Sequence, residues 1–134
     1  MIRDLAHVCF VVRDLNASIE FYVKKLGLAS AFDFLDDKGE RFGVYVKVGP
    51  RSFIELFKGQ LDVKAAKQSF QHICLEVDDF HQTVAQIRKA GVAVDNVKMG
   101  ADNSWQGWLA DPDGNVIELH GYTPMSKQTP FLDE

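Results

Sequence analysis

The spacing of hydrophobic and polar positions changes several times along the chain, and each change marks an element. Residues 5–12 are apolar and rich in β-branched types, which predicts a strand. The period then lengthens: Ile19, Tyr22, Val23 and Leu26 fall at i, i+3, i+4 and i+7, between a capping Asp14 and a stop at Gly27, so a helix is predicted over 15–26. Strand patterns return over 29–35 and 41–48, as a hairpin across Asp36-Asp37-Lys38-Gly39, and again over 52–57 after the turn at Gly49-Pro50. Residues 59–70 lack strand alternation, have a weakly helical middle at 63–68, and read as a linker. The series then begins again with a strand over 71–77 and a helix from Asp79, where Gln82 is a capping-box partner, Phe80, Val84 and Ile87 form the apolar face, and Gly91 is the stop. Strands over 93–99 and 105–110 follow, then the turn Asp111-Pro112-Asp113-Gly114-Asn115 and a last strand over 116–120. The tail, 121–134, contains Pro124 and Pro130 without any period, and is expected to be an arm across a neighbour or loose.

The second series copies the first residue for residue in places. His7, Cys9 and Asp14 have counterparts in His72, Cys74 and Asp79, and Glu55 in the fourth strand is echoed by Glu118 in the last. The pattern is therefore α+β: one domain, 1–134, made of two βαβββ modules at about 5–58 and 71–120 that share a core.

Composition narrows the function more than the fold. The 134 residues suit one domain, and 46% hydrophobic with 25% charged residues is ordinary for a packed chain. A net charge of -4 without a long basic run favours neither nucleic acid nor an anionic membrane surface, so a small molecule is the expected partner. No apolar stretch is long enough to span a bilayer, and the first residues lack a secretory hydrophobic run, which makes a cytoplasmic location the expectation. Cys9 and Cys74 are then expected to be buried, reduced thiols.

The candidate chemistry follows from strand alternation, because residues two apart share a face. His7, Cys9 and Val11 share one face; His72, Cys74 and Glu76 share the matching one. A carboxylate in the middle of an apolar strand, as at Glu55 and Glu118, is costly if buried without a partner. Two such glutamates and two strand histidines, placed alike by the repeat, can converge on one divalent cation that offsets both charges and keeps two positions open. His120 faces the same way as Glu118 and is a candidate substrate-binding residue, as a pocket base or as a donor to the metal's ligands. Trp105 and Trp108, three residues apart, face opposite ways; one of them, with Trp105 the first choice, is expected to line a substrate pocket. His81 and Glu76 are expected in solvent.

These residues resemble the vicinal-oxygen-chelate superfamily, and within it the glyoxalase I-like proteins. The likeness runs from His7 to Glu118 and includes Ile19-Glu20-Phe21-Tyr22, Leu26-Gly27-Leu28 and the Asp111–Asn115 turn before Ile117-Glu118-Leu119. It implies a curved mixed sheet around a metal held by His7, Glu55, His72 and Glu118: nickel, zinc, cobalt, manganese or iron. It also implies a homodimer whose sites draw on modules of two chains. The implied activity is that of a lyase or isomerase of the lactoylglutathione lyase type, converting a thiol-aldehyde adduct to a thioester through an enediolate, with Glu118 or Glu55 as base. Where glyoxalase I carries an arginine soon after the first ligand this chain has Val11, so the thiol is left open. An acyl-CoA epimerase and a metal-free protein that binds a drug or metabolite are the alternatives the resemblance carries.

Overall fold

The structure, a computed structural model, describes residues 1–62 and 68–133. Most of the helical stretch expected within the linker lies outside these residues. The chain forms two compact units, Met1–Ala66 and Lys67–Glu134. Unit 1 runs β1 (His7–Val12), α1 (Leu15–Ile19), a π-helical turn (Glu20–Lys25), β2 (Ala29–Leu35), β3 (Arg41–Lys47) and β4 (Phe53–Lys58). Unit 2 runs β5 (Ile73–Glu76), α2 (Phe80–Lys89), β6 (Asp95–Met99), β7 (Trp105–Ala110) and β8 (Val116–Gly121), ending in a short 3-10 turn, Thr129–Phe131. Each unit is thus a βαβββ module with one mixed four-stranded sheet, ordered β1-β4-β3-β2 in the first and β5-β8-β7-β6 in the second. In both, the first strand pairs parallel with the last, and the remaining pairs are antiparallel.

Alternation gives each sheet one apolar face, and the helix covers it. In unit 1, Phe10, Val12, Val44, Val46, Ile54 and Leu56 are buried beneath α1, which lies against β3 and β4. In unit 2, Ile73, Leu109, Ile117 and Leu119 form the equivalent floor under Phe80, Val84 and Ile87 of α2. Both helices start as expected, with Asp14 accepting from the Ala17 amide at 3.0 Å and Asp79 from the Gln82 amide at 3.1 Å. Gly121 lets Phe80 close over the sheet, since a Cβ there would lie 2.8 Å from that side chain.

The first helix departs from its expected form. It is α-helical only to Ile19, then widens, and the Leu26 amide reaches the Phe21 carbonyl at 2.9 Å. The 3.6-residue pattern therefore fails after Ile19: Leu15, Ser18, Phe21 and Tyr22 are buried, whereas Ile19, Val23 and Leu26 are only partly so.

The tail also departs from expectation, since the segment from Ser126 to Gln128 folds back on its own unit. Ser126 Oγ and Ser104 Oγ meet at 2.7 Å, the Lys127 amide donates to the Asp102 carbonyl at 2.9 Å, and Gln128 Nε2 donates to Asp102 Oδ2 at 2.6 Å. Side-chain and backbone hydrogen bonds, which carry no hydrophobic period, hold this segment. The turn before β8 is built on Asp111, whose Oδ1 accepts from the amides of Asp113 at 2.9 Å and Asn115 at 2.8 Å, with Gly114 at a positive φ of 79°. Among the described residues no helix is long and apolar enough to cross a membrane.

Ile117 and Val116 are neighbours on β8 facing opposite ways, fully buried and 41% exposed respectively. Ile117→Ala is expected to cost about 2–5 kcal/mol in urea unfolding, and Val116→Ala about 0.5 kcal/mol or less. Equal costs would contradict the assignment of faces.

Candidate functional site

The sheet face turned away from the helix carries the polar residues in both units. In unit 1 the parallel register sets His7, Cys9 and Val11 beside Phe53, Glu55 and Phe57, and β3 places Tyr45 opposite Glu55. His7 Nε2 lies 3.9 Å from Glu55 Oε1, and the Tyr45 hydroxyl meets His7 Nδ1 at 2.9 Å. The glutamate side chain is 16% exposed. Phe32 stacks on Tyr45, and Phe34 and Phe53 also pack around that ring, which makes this face markedly aromatic. Gly43 admits the Phe57 ring, because a Cβ there would stand 2.5 Å from it.

Unit 2 repeats the pairing. Cys74 registers with Glu118, and Trp108 occupies the position opposite Glu118 that Tyr45 holds opposite Glu55. His72 Nε2 is 3.3 Å from Glu118 Oε2, and the His72 ring meets Trp108 edge-on. His120, with Phe57 as its counterpart in unit 1, sets Nδ1 at 3.4 Å from Glu118 Oε1 and Nε2 at 3.6 Å from Asp102 Oδ2. Asp102 is fixed by Gln128 and by the Ser104 amide at 3.1 Å, and the Gln128 hydrogen bond leads in holding its carboxyl below the ordinary value.

Within each unit the structure therefore brings together the histidine and glutamate singled out by sequence. It also sets His120 against Glu118. Trp105 lies elsewhere, stacked on Phe80 and edge-on to His81 on the helix side, while Trp108 faces His72. Of the two tryptophans it is thus Trp108, the second choice, that takes the histidine face, and Tyr45, Asp102 and Gln128 have no counterpart among the expected site residues. Tyr45 and Trp108 precede their glutamates by the same number of residues, a spacing that could have marked them.

Cys9 and Cys74 are exposed free thiols, contrary to the burial expected of them. Strand parity is the reason: Phe10, Val12 and Ile73 take the helix side, so both cysteines take the polar one. Exposure does not make Cys74 acidic. Desolvation by neighbouring protein atoms, with the charge and hydrogen bond of Glu118, pushes its thiol up to about 12. Desolvation, then Glu55, raises Cys9 as well.

The donor set suits a divalent cation. Each mostly buried glutamate has a histidine beside it, at 3.9 Å in unit 1 and 3.3 Å in unit 2. A bound cation would offset the carboxylate charge, and imidazole nitrogens with carboxylate oxygens are the ligands of borderline first-row metals.

A doubled βαβββ fold with a matching His–Glu pair on each sheet defines a class of small-molecule-handling proteins built from paired modules. The chain belongs to the Glyoxalase/Bleomycin resistance protein/Dioxygenase superfamily, whose sequence model matches residues 4–119. It is 32% identical over 126 residues to a probable lactoylglutathione lyase of Vibrio parahaemolyticus, covering 86% of this chain and 88% of that one. It is 29% identical over 125 residues to the metallothiol transferase FosB of Staphylococcus epidermidis, covering 89% and 82%. Among solved structures it is similar to TnmS3, an antibiotic-binding protein from Streptomyces sp. CB03234, with TM-score 0.74, 27% identity, and coverage of 91% and 98%.

In metal-free protein near neutral pH, Cys74 is expected to alkylate about 10- to 100-fold more slowly than free cysteine despite its exposure. A rate equal to that of free cysteine would contradict the perturbation by desolvation and Glu118. The same thiol keeps its proton in the folded state above the ordinary value of 9.0. Its contribution to stability is therefore full below that value and lost as pH rises towards about 12. Cys74→Ser should flatten this alkaline decline in unfolding experiments.

Proposed function

We propose that the chain is a metal-dependent lyase or isomerase of the glyoxalase I kind, acting on a small thiol-aldehyde adduct. His7, Glu55, His72 and Glu118 are the proposed ligands of one divalent cation, with two units contributing two residues each, from one chain or from the two chains of a homodimer. The observation that carries this reading is the recurrence of the His–Glu pair at equivalent strand positions, 3.9 Å apart in unit 1 and 3.3 Å apart in unit 2. The similarity to a probable lactoylglutathione lyase and to a metallothiol transferase supports it.

When bound, the cation supplies the positive charge that stabilises two adjacent substrate oxygens. The chain supplies the rest. Glu118 or Glu55 takes the proton from the carbon beside the carbonyl and returns it to the neighbouring carbon, so the adduct becomes a thioester. Tyr45 fixes the His7 ring through Nδ1, leaving Nε2 towards Glu55. Trp108 does comparable work by packing on His72.

The test is turnover of adducts formed from a 2-oxoaldehyde and several small thiols, followed by thioester absorbance. Glu118→Gln is expected to lose at least about 100-fold in kcat. Undiminished turnover in that variant, or epimerisation of an acyl-CoA in place of thioester formation, would overturn the assignment. One observation favours a second reading, a drug- or metabolite-binding protein: the aromatic face of Phe32, Phe34, Tyr45 and Phe53, together with the likeness to TnmS3. In that case a planar ligand would bind unchanged in a Glu55→Ala, Glu118→Ala variant.

A further inference from the structure

We propose that unit 2 alone carries a second metal-binding arrangement, in which Cys74 Sγ, a carboxylate oxygen of Glu118 and a ring nitrogen of His120 bind a thiophilic divalent cation such as Zn2+. It shares Glu118 with the His–Glu set proposed above but needs neither His7 nor Glu55, so the two stand or fall separately.

The pairing of β5 with β8 creates the cluster. Cys74 registers with Glu118, and His120 follows two residues later on the same face. One ligand atom from each of the three lies within 4.8 Å of the others, and His120 Nδ1 is 3.4 Å from Glu118 Oε1. Zinc at about 2.0–2.3 Å from nitrogen, oxygen and sulfur needs tetrahedral ligand separations of about 3.3–3.8 Å, which small side-chain rotations can reach. A fourth position is left for water or for a substrate atom.

The state of His120 points to a ligand independently. It is only 8% exposed, and its Nε2 is buried without a hydrogen-bond partner, facing Asp102 Oδ2 at 3.6 Å. An unsatisfied buried imidazole nitrogen is costly. Ligation through Nδ1 fixes the tautomer, so that Nε2 carries the proton and donates towards Asp102. This is the carboxylate–histidine–metal arrangement that orients metal-bound histidines. Gln128 and Ser104 already hold Asp102 in place, which gives the folded-back tail a role as a brace for this site. The positioning residues are therefore Asp102 and Gln128.

Sulfur sets the preference among metals. Thiolate ligands favour zinc and cobalt over manganese or magnesium, which prefer oxygen. Binding requires the thiol proton to leave: protein-SH and M2+ give protein-S–M and one H+, with no change of oxidation state. Unit 1 serves as an internal control. It has Cys9 beside Glu55, but Phe57 stands where unit 2 has His120.

The test is titration of the metal-free full chain with Co2+, read by the near-ultraviolet sulfur-to-cobalt charge-transfer absorption, with circular dichroism confirming the fold of every variant. The band is expected in the wild type, in Cys9→Ser and in the His7→Ala, Glu55→Ala double variant. It should vanish in Cys74→Ser, and Asp102→Asn should weaken Co2+ binding by about 10- to 100-fold. Absence of the band, its survival in Cys74→Ser, or its loss in Cys9→Ser would overturn the proposal. Co2+ binding without the band that depends on His7 and Glu55 would also overturn it, while leaving the four-residue reading intact.

Discussion

Parallel pairing of the first and last strands of each βαβββ unit is the constraint on which the site geometry depends. It sets β1 beside β4 and β5 beside β8. A histidine at the start of one strand and a glutamate in the middle of the other then meet on the same face. Neither residue could find the other through local sequence, since the helix and a hairpin lie between them. The crossover that makes the pairing parallel also places the helix on the opposite face, where it buries Val12, Ile54 and Leu56 in one unit and Ile117 and Leu119 in the other. One topological choice thus separates an apolar face that stabilises from a polar face that can bind.

The polar face carries a cost that helps to explain its chemistry. Glu55 and Glu118 are 16% and 12% exposed, each against a histidine rather than a lysine or arginine. Partial burial of a carboxylate favours any arrangement in which a cation approaches it. The surroundings differ between units. Tyr45 and an aromatic surface flank the first pair, whereas Trp108, Cys74 and a buried His120 flank the second. The two units therefore share a His–Glu pair at equivalent strand positions and differ in what surrounds it.

Much of this was legible in the sequence because period and repetition are local signals. Strand alternation, the Asp14 and Asp79 caps, the Asp111 turn and the equivalence of His7 with His72 and Glu55 with Glu118 could all be read from residue order. The two exposed cysteines were misjudged because hydrophobic character was weighed above parity, although strand alternation itself assigns them to the face of the histidines. The π turn at Glu20–Lys25 gives no periodic warning, since a single i→i+5 widening looks like a slightly irregular helix. The tail escaped for a different reason. Its anchors, Gln128 on Asp102 and Ser126 on Ser104, are single hydrogen bonds across distant positions, and no pattern of polarity announces them.

The most direct measurement of the central claim is the stoichiometry of Mn2+ binding, read from the loss of the free-ion electron paramagnetic resonance signal in wild-type, Glu55→Ala and Glu118→Ala proteins. Manganese prefers oxygen and nitrogen, so it reports the His–Glu pairs and not the cysteine. One ion per chain, abolished by either substitution alone, is the result expected if the two pairs serve a single cation as proposed. Two ions per chain, each removed only by the substitution in its own unit, or no binding at all, would contradict it.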